Sequence, residues 1–182
     1  MGCDKAFLEI GGQTLLARQI QIVRAAGATE VFISGRGDVD YAAFGCRVLV
    51  DTFPDAGPLA GIESALAAMT TPRLLVLAVD LPAMNADFLR QLMEVSSENC
   101  GVVPRVSGNL EPLVAVYPKT AQPMATALLN QKSFAVKFFA AQCERAALVS
   151  FMDLSAADAR FLLNCNAPAD WAGVTVSGGG AS

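Results

Sequence analysis

The chain contains no histidine. That absence removes the Ser/His/Asp and Cys/His arrangements of nucleophilic catalysis. It also removes a common zinc ligand. The five cysteines, Cys3, Cys46, Cys100, Cys143 and Cys165, are scattered and form no C-x-x-C, so no zinc-site spacing is present. Such cysteines read as small buried residues in a reducing compartment. There is no run of Lys or Arg and the formal charge is -4, which argues against a surface built to neutralise nucleic-acid phosphates. Long apolar stretches are missing too. The longest, residues 74–79, is far too short to cross a bilayer. The first residues carry no apolar signal-peptide core. The expectation is a cytoplasmic enzyme-like domain whose chemistry rests on carboxylates, lysine, backbone amides and a metal ion.

What is present points to an α/β domain. The 182 residues are 53% hydrophobic, enough for one full-sized core. A single domain is expected over residues 1–176, with a flexible tail at 177–182 that contains three consecutive glycines. Short, nearly continuous apolar runs at 31–34, 47–50 and 74–79 predict strands covered on both faces. Amphipathic helices fall between them. Leu16, Ile20 and Val23 keep helical spacing, with Thr14 as N-cap and Gly27 as a stop. Ile62, Leu66 and Met69 repeat that spacing, and Phe88, Leu89, Leu92 and Met93 do so behind Asn85. Strands alternating with helices predict a three-layer, Rossmann-like fold with a mostly parallel sheet. Extended runs at 101–106 and 113–117, separated by Ser107-Gly108-Asn109, predict a paired return that makes the sheet mixed. Helices at 121–129 and 134–143, a strand at 148–151 and a helix start at Ser155-x-x-Asp158 complete the reading.

Few residues in this frame are placed to carry chemistry. Asp80 directly follows the apolar run 74–79, and Asp51 directly follows 47–50. Ligands of open α/β sheets bind beyond the carboxyl ends of the strands. A carboxylate there can hold a hard cation such as Mg²⁺, or simply cap a loop or helix. Gly57-Pro58-Leu59-Ala60-Gly61 enters a helix. Small residues there let an anion approach backbone N–H groups, though Gly and Pro are common at ordinary helix entries. Lys5, after Gly2-Cys3-Asp4, could meet a phosphate or be an exposed lysine. Neither a Walker A loop nor G-x-G-x-x-G is present. Asn164 and Asn166 stand at i and i+2. In an extended segment they share a face suited to a polar heterocycle, and they suit a turn before Pro168 equally well.

Taken in series, these pieces resemble a known family. Gly2-x-Asp4-Lys5 with Gly12-x-x-Leu15-Leu16 is similar to the end of the nucleotidyltransferase signature. Asp51 to Pro54 with Gly57-Pro58-Leu59-Ala60-Gly61-Ile62 is similar to its second motif. Leu77-Ala78-Val79-Asp80-Leu81-Pro82 resembles the metal-binding strand end, and Glu111-Pro112-Leu113-Val114-Ala115-Val116-Tyr117 the acceptor-side strand. Asn164-x-Asn166-x-Pro168-x-Asp170 resembles the closing motif. The family is the nucleotidyltransferases that act on the molybdenum cofactor, the guanylyltransferases above all. The resemblance implies that Lys5 and Gly2 meet the triphosphate and that Asp51 contacts the nucleotide. It implies that Asp80 holds Mg²⁺, and that Asn164 and Asn166 face molybdopterin. The implied substrates are GTP and molybdopterin cofactor, with other cofactor biosynthesis or insertion proteins as possible partners, and neither nucleic acid nor membrane. Two departures stand out. The family's first strand and glycine-rich loop have no counterpart before Met1, which predicts an apolar slot in the sheet. The family's asparagine after the next strand has no counterpart in residues 31–36, Val-Phe-Ile-Ser-Gly-Arg. A cytidylyltransferase, a nucleotidyltransferase for another acceptor and a non-catalytic binding domain therefore stand as alternatives.

Overall fold

The computed structural model describes residues 5–35, 37 and 39–164. Gly2, Cys3, Cys165, Asn166 and the expected tail at 177–182 lie outside the described residues. A 3-10 turn at Lys5–Phe7 leads into a small antiparallel hairpin, β1 (Glu9–Ile10) and β2 (Gln13–Thr14). Its two loop residues, Gly11 and Gly12, both have positive φ, as a two-residue hairpin loop of this hand requires. Thr14 caps α1 (Leu15–Ala25) by accepting a hydrogen bond from the Ala17 N–H at 3.2 Å. β3 (Phe32–Ser34) pairs in parallel with β4 (Arg47–Leu49). α2 (Pro58–Ala68) begins with Pro58, whose missing N–H costs nothing in a first turn. β5 (Arg73–Leu77) precedes α3 (Ala86–Val95), which Asn85 caps through the Phe88 N–H at 2.9 Å.

The second half supplies most of the main sheet. β6 (Gly101–Val106) folds back through Ser107 and Gly108, both with positive φ, onto the short β7 (Asn109–Leu110). β8 (Val114–Pro118), α4 (Gln122–Asn130), α5 (Val136–Arg145), β9 (Val149–Asp153) and the single-turn α6 (Ala156–Ala159) follow. The helix start read at Ser155 is real, since Ser155 accepts from the Asp158 N–H, yet the α-helix it opens is four residues long.

The main sheet is mixed, as expected, but it is not mostly parallel. In the main sheet β8 lies between β5 and β6 and is antiparallel to both. β7 is antiparallel to β6, and only β9 joins β6 in parallel. The connection from β6 to β8 is too short for a parallel crossover, whereas α4 and α5 provide one before β9. β3 and β4 form a separate two-stranded parallel sheet.

Three layers are present. Every residue of β8 is buried, and successive side chains point to opposite faces. Ala115 and Tyr117 pack with Leu59, Ile62 and Leu66 of α2, Leu128 and Leu129 of α4 and Phe139 of α5. Val114 and Val116 pack with Phe88, Leu89 and Leu92 of α3, against which Ile22 and Val23 of α1 also rest. A third cluster around Ala6, Ile20, Ile33 and Tyr41 lies toward the N-terminal segment, where Val79 also packs. β5 differs from β8. All five of its residues are only half-buried, and among the described residues its one strand partner is β8.

Candidate functional site

The half-buried edge of β5 borders a cavity of about 1180 Å³. Phe32, Ile33 and Ser34 of β3 and Leu74 to Leu77 of β5 line it, as do Gln19 and Ile20 of α1 and Gly57, Pro58 and Gly61 at the start of α2. The cavity is an apolar trough flanked by β3 and β5, which among the described residues belong to separate sheets.

The polar groups gather where β5 ends. The strand closes at Leu77, two residues before the apolar run does. The Ala78 N–H donates to the Leu113 carbonyl at 2.8 Å, and Val79 and Asp80 form a turn. Asp80 Oδ2 accepts from Lys5 Nζ at 3.1 Å, with the two side chains 20% and 43% exposed. The two residues are 75 positions apart. The fold brings together a cation and a carboxylate that the sequence keeps at a distance, at a solvent-accessible strand end.

Asp51 stands two residues beyond β4 and lines the trough. Its Oδ1 is buried without a hydrogen-bond partner among the described residues, and burial raises its carboxyl above its ordinary value. A buried acceptor left open in this way suits a donor-bearing ligand. Gly61 lies close by. A Cβ there would overlap Ser34 Oγ at the end of β3 and come within 3.9 Å of Asp51 Oδ1. The glycine therefore lets α2 close against β3 and brings the helix beside the Asp51 carboxylate. Asn164 is exposed, lies beyond the 3-10 turn Arg160–Leu162 and does not line the trough. Its pairing with Asn166 falls outside the described residues, as does the role of Gly2.

Over residues 1–146 the chain matches the family described as MobA-like NTP transferase domain. It belongs to that family. A protein of Opitutus terrae named probable molybdenum cofactor guanylyltransferase is 34% identical over 93% of this chain and 86% of its own length. The fold agrees with that membership. The molybdopterin-guanine dinucleotide biosynthesis protein A of Archaeoglobus fulgidus superposes with a TM-score of 0.70 at 16% identity, covering 93% of this chain and 87% of that one. The 2-C-methyl-D-erythritol 4-phosphate cytidylyltransferase of Thermus thermophilus superposes with a TM-score of 0.69 at 18% identity, covering 91% and 89%. Both structures show a shared nucleotidyltransferase fold.

Among the described residues of this transferase, no three metal-ligating side chains come together. A cation at Asp80 would thus have fewer than three described protein ligands, leaving room for phosphates and water in its shell. That donor set suits Mg²⁺, which keeps several waters and binds through one or two carboxylates plus substrate phosphates. One residue escaped the sequence reading. Gln19 is 4% exposed, and its side-chain amide donates to the carbonyls of Val79 at 3.3 Å and Leu81 at 2.8 Å. Its signal was a polar residue on the buried face of α1, four positions after Leu15 and beside Ile20. No helix among the described residues is long and apolar enough to cross a membrane.

Proposed function

We propose that this chain transfers GMP from GTP to the terminal phosphate of molybdopterin cofactor, forming the guanine dinucleotide cofactor and releasing pyrophosphate. The observation that carries the reading is the Lys5–Asp80 pair at the end of β5, next to Ala6 and Val79, which line the trough together with Asp51. It is joined by the identity to proteins named molybdenum cofactor guanylyltransferase. An oxygen of the acceptor phosphate attacks the α-phosphorus of GTP, the new P–O bond forms, and the α–β bridging bond breaks. The acceptor is already an anion, so no strong base is needed. Catalysis then rests on positioning and charge neutralisation, which a chain without histidine can supply.

Each residue has a task in that scheme. Lys5 neutralises triphosphate charge as a point cation. Asp80 would hold Mg²⁺, which when bound supplies charge stabilisation between nucleotide and acceptor phosphates. Asp51 accepts a hydrogen bond from the nucleotide at its open Oδ1. Gly2 lets the loop backbone approach the triphosphate, and Asn164 and Asn166 meet the pterin. Isothermal calorimetry with GTP and Mg²⁺, followed by turnover of molybdopterin, tests the reading. Binding of CTP and not GTP would move the assignment to a cytidylyltransferase, whose fold this chain shares equally well. Turnover of molybdopterin that survives replacement of both asparagines by Ala would point to a different acceptor face.

A further inference from the structure

We infer that Gln19 is a positioning residue that aims the Asp80 carboxylate, holding the carbonyls of the residues before and after it from the buried face of α1. The inference rests on the reading of Asp80 as the residue that holds the metal ion. Gln19 is almost fully buried, and its Nε2 donates to the carbonyl before Asp80, on Val79, and to the carbonyl after it, on Leu81. Both amide hydrogens are thereby used, and the two carbonyl acceptors fix which way the amide faces. Pinning residues 79 and 81 leaves the backbone of Asp80 little freedom. Lys5 then holds the far end of the side chain at 3.1 Å.

The same helix ties down that lysine. The Leu15 N–H, at the first position of α1, donates to the Leu8 carbonyl at 2.8 Å, and the Leu8 N–H donates to the Lys5 carbonyl at 3.2 Å. α1 therefore sets the Asp80 turn and the Lys5 turn relative to one another.

Packing alone does not account for a glutamine here. Its Oε1 is buried with no hydrogen-bond partner, which carries a desolvation penalty that an apolar residue of the same length would avoid. The amide is useful at this position for its two donors. Groups that orient a metal ligand from behind commonly alter metal affinity about 10–100-fold when removed.

The test uses the full chain with Mn²⁺ as a spectroscopic stand-in for Mg²⁺ and a non-hydrolysable GTP analogue. Bound Mn²⁺ is read by electron paramagnetic resonance, nucleotide binding is read separately in EDTA, and thermal unfolding is followed without ligand. In Gln19→Met the Mn²⁺ dissociation constant in the ternary complex rises about tenfold. Nucleotide affinity in EDTA stays at the wild-type value, and the melting temperature falls by no more than about 4 °C. A merely structural residue would weaken metal and nucleotide together. Gln19→Leu, which has no donor and no charge, gives the same metal defect and serves if the Met variant does not fold. Unchanged Mn²⁺ affinity in either folded variant overturns the inference while leaving the proposed reaction standing. Failure of both variants to fold also overturns it, because the residue is then structural. Absence of nucleotide-dependent Mn²⁺ binding by the wild-type protein overturns the proposed reaction itself and this inference with it.

Discussion

Replacing Asp80 by Asn should change GTP affinity in opposite directions depending on whether Mg²⁺ is present. Lys5 and Asp80 are paired at 3.1 Å. At that separation the bare Coulomb attraction is about 1.3 kcal/mol in bulk water and about 5 kcal/mol at an effective dielectric of 20. Lys5 is 43% exposed, so solvent screening brings the net value toward the roughly 0–1 kcal/mol measured for exposed pairs. Without metal, a triphosphate must compete with Asp80 for Lys5 and approach a carboxylate of its own sign. Asp80→Asn removes both obstacles, and GTP should bind about two- to fivefold more tightly in EDTA. With saturating Mg²⁺ the same substitution removes the carboxylate on which the proposed cation site rests, and binding should weaken at least about tenfold. Calorimetric titration of GTP into wild type and variant, with EDTA and with Mg²⁺, gives the four numbers needed. An effect of the same sign in both buffers would refute a metal-holding role for Asp80.

Three further outcomes follow from individual contacts. A Cβ at Gly101 would overlap the Val116 carbonyl oxygen and lie 3.1 Å from Tyr117 Cα, and backbone cannot swing aside as a side chain can. Gly101→Ala should destabilise by about 1–3 kcal/mol and lower the melting temperature by roughly 2–12 °C, so an unchanged thermal transition would contradict the close approach of β6 and β8. Burial raises the Asp51 carboxyl above its ordinary value, so the folded state keeps this proton to higher pH than the unfolded state does. Stability from this group is then greatest when it is protonated and is lost as pH rises from the unfolded carboxylate value through the folded one. Asp51→Asn should gain stability relative to wild type across that window and hold a constant gain above it, as read from urea unfolding at several pH values; a parallel pH dependence in both proteins would count against the burial. Cys143 is buried and its thiol is pushed up to about 12. Iodoacetamide at pH 8 should therefore alkylate the half-buried Cys46 and Cys100 well before Cys143, which should react only when the protein is unfolded; mass spectrometry of the labelled peptides decides it.

Local features were legible from the residues alone. Thr14 and Asn85 cap their helices because a side-chain oxygen at the N-cap satisfies a backbone N–H three residues on. The helix spacing of Leu16, Ile20 and Val23 likewise lies within one element. The strand at 31–34 was read one residue long at its start, and the run 74–79 was read two residues long at its end because Ala78 and Val79 are apolar but not paired as strand. Strand direction is legible only where a short turn joins two runs: Ser107-Gly108-Asn109 marks the return that sets 113–117 antiparallel to 101–106. An apolar run has the same pattern whichever way a distant neighbour points, so nothing local sets β8 antiparallel to β5.

Sequence by itself determined most of the helices and strands, the Thr14 and Asn85 caps and the family. Those depend on spacings of a few residues or on motif order along the chain. Tertiary structure alone decided what meets what. The Lys5–Asp80 pair spans 75 positions and the bonds from Gln19 to residues 79 and 81 span 60 and 62. Contacts of that range are set by how α1, β5 and the trough beside them pack, and no local propensity encodes them.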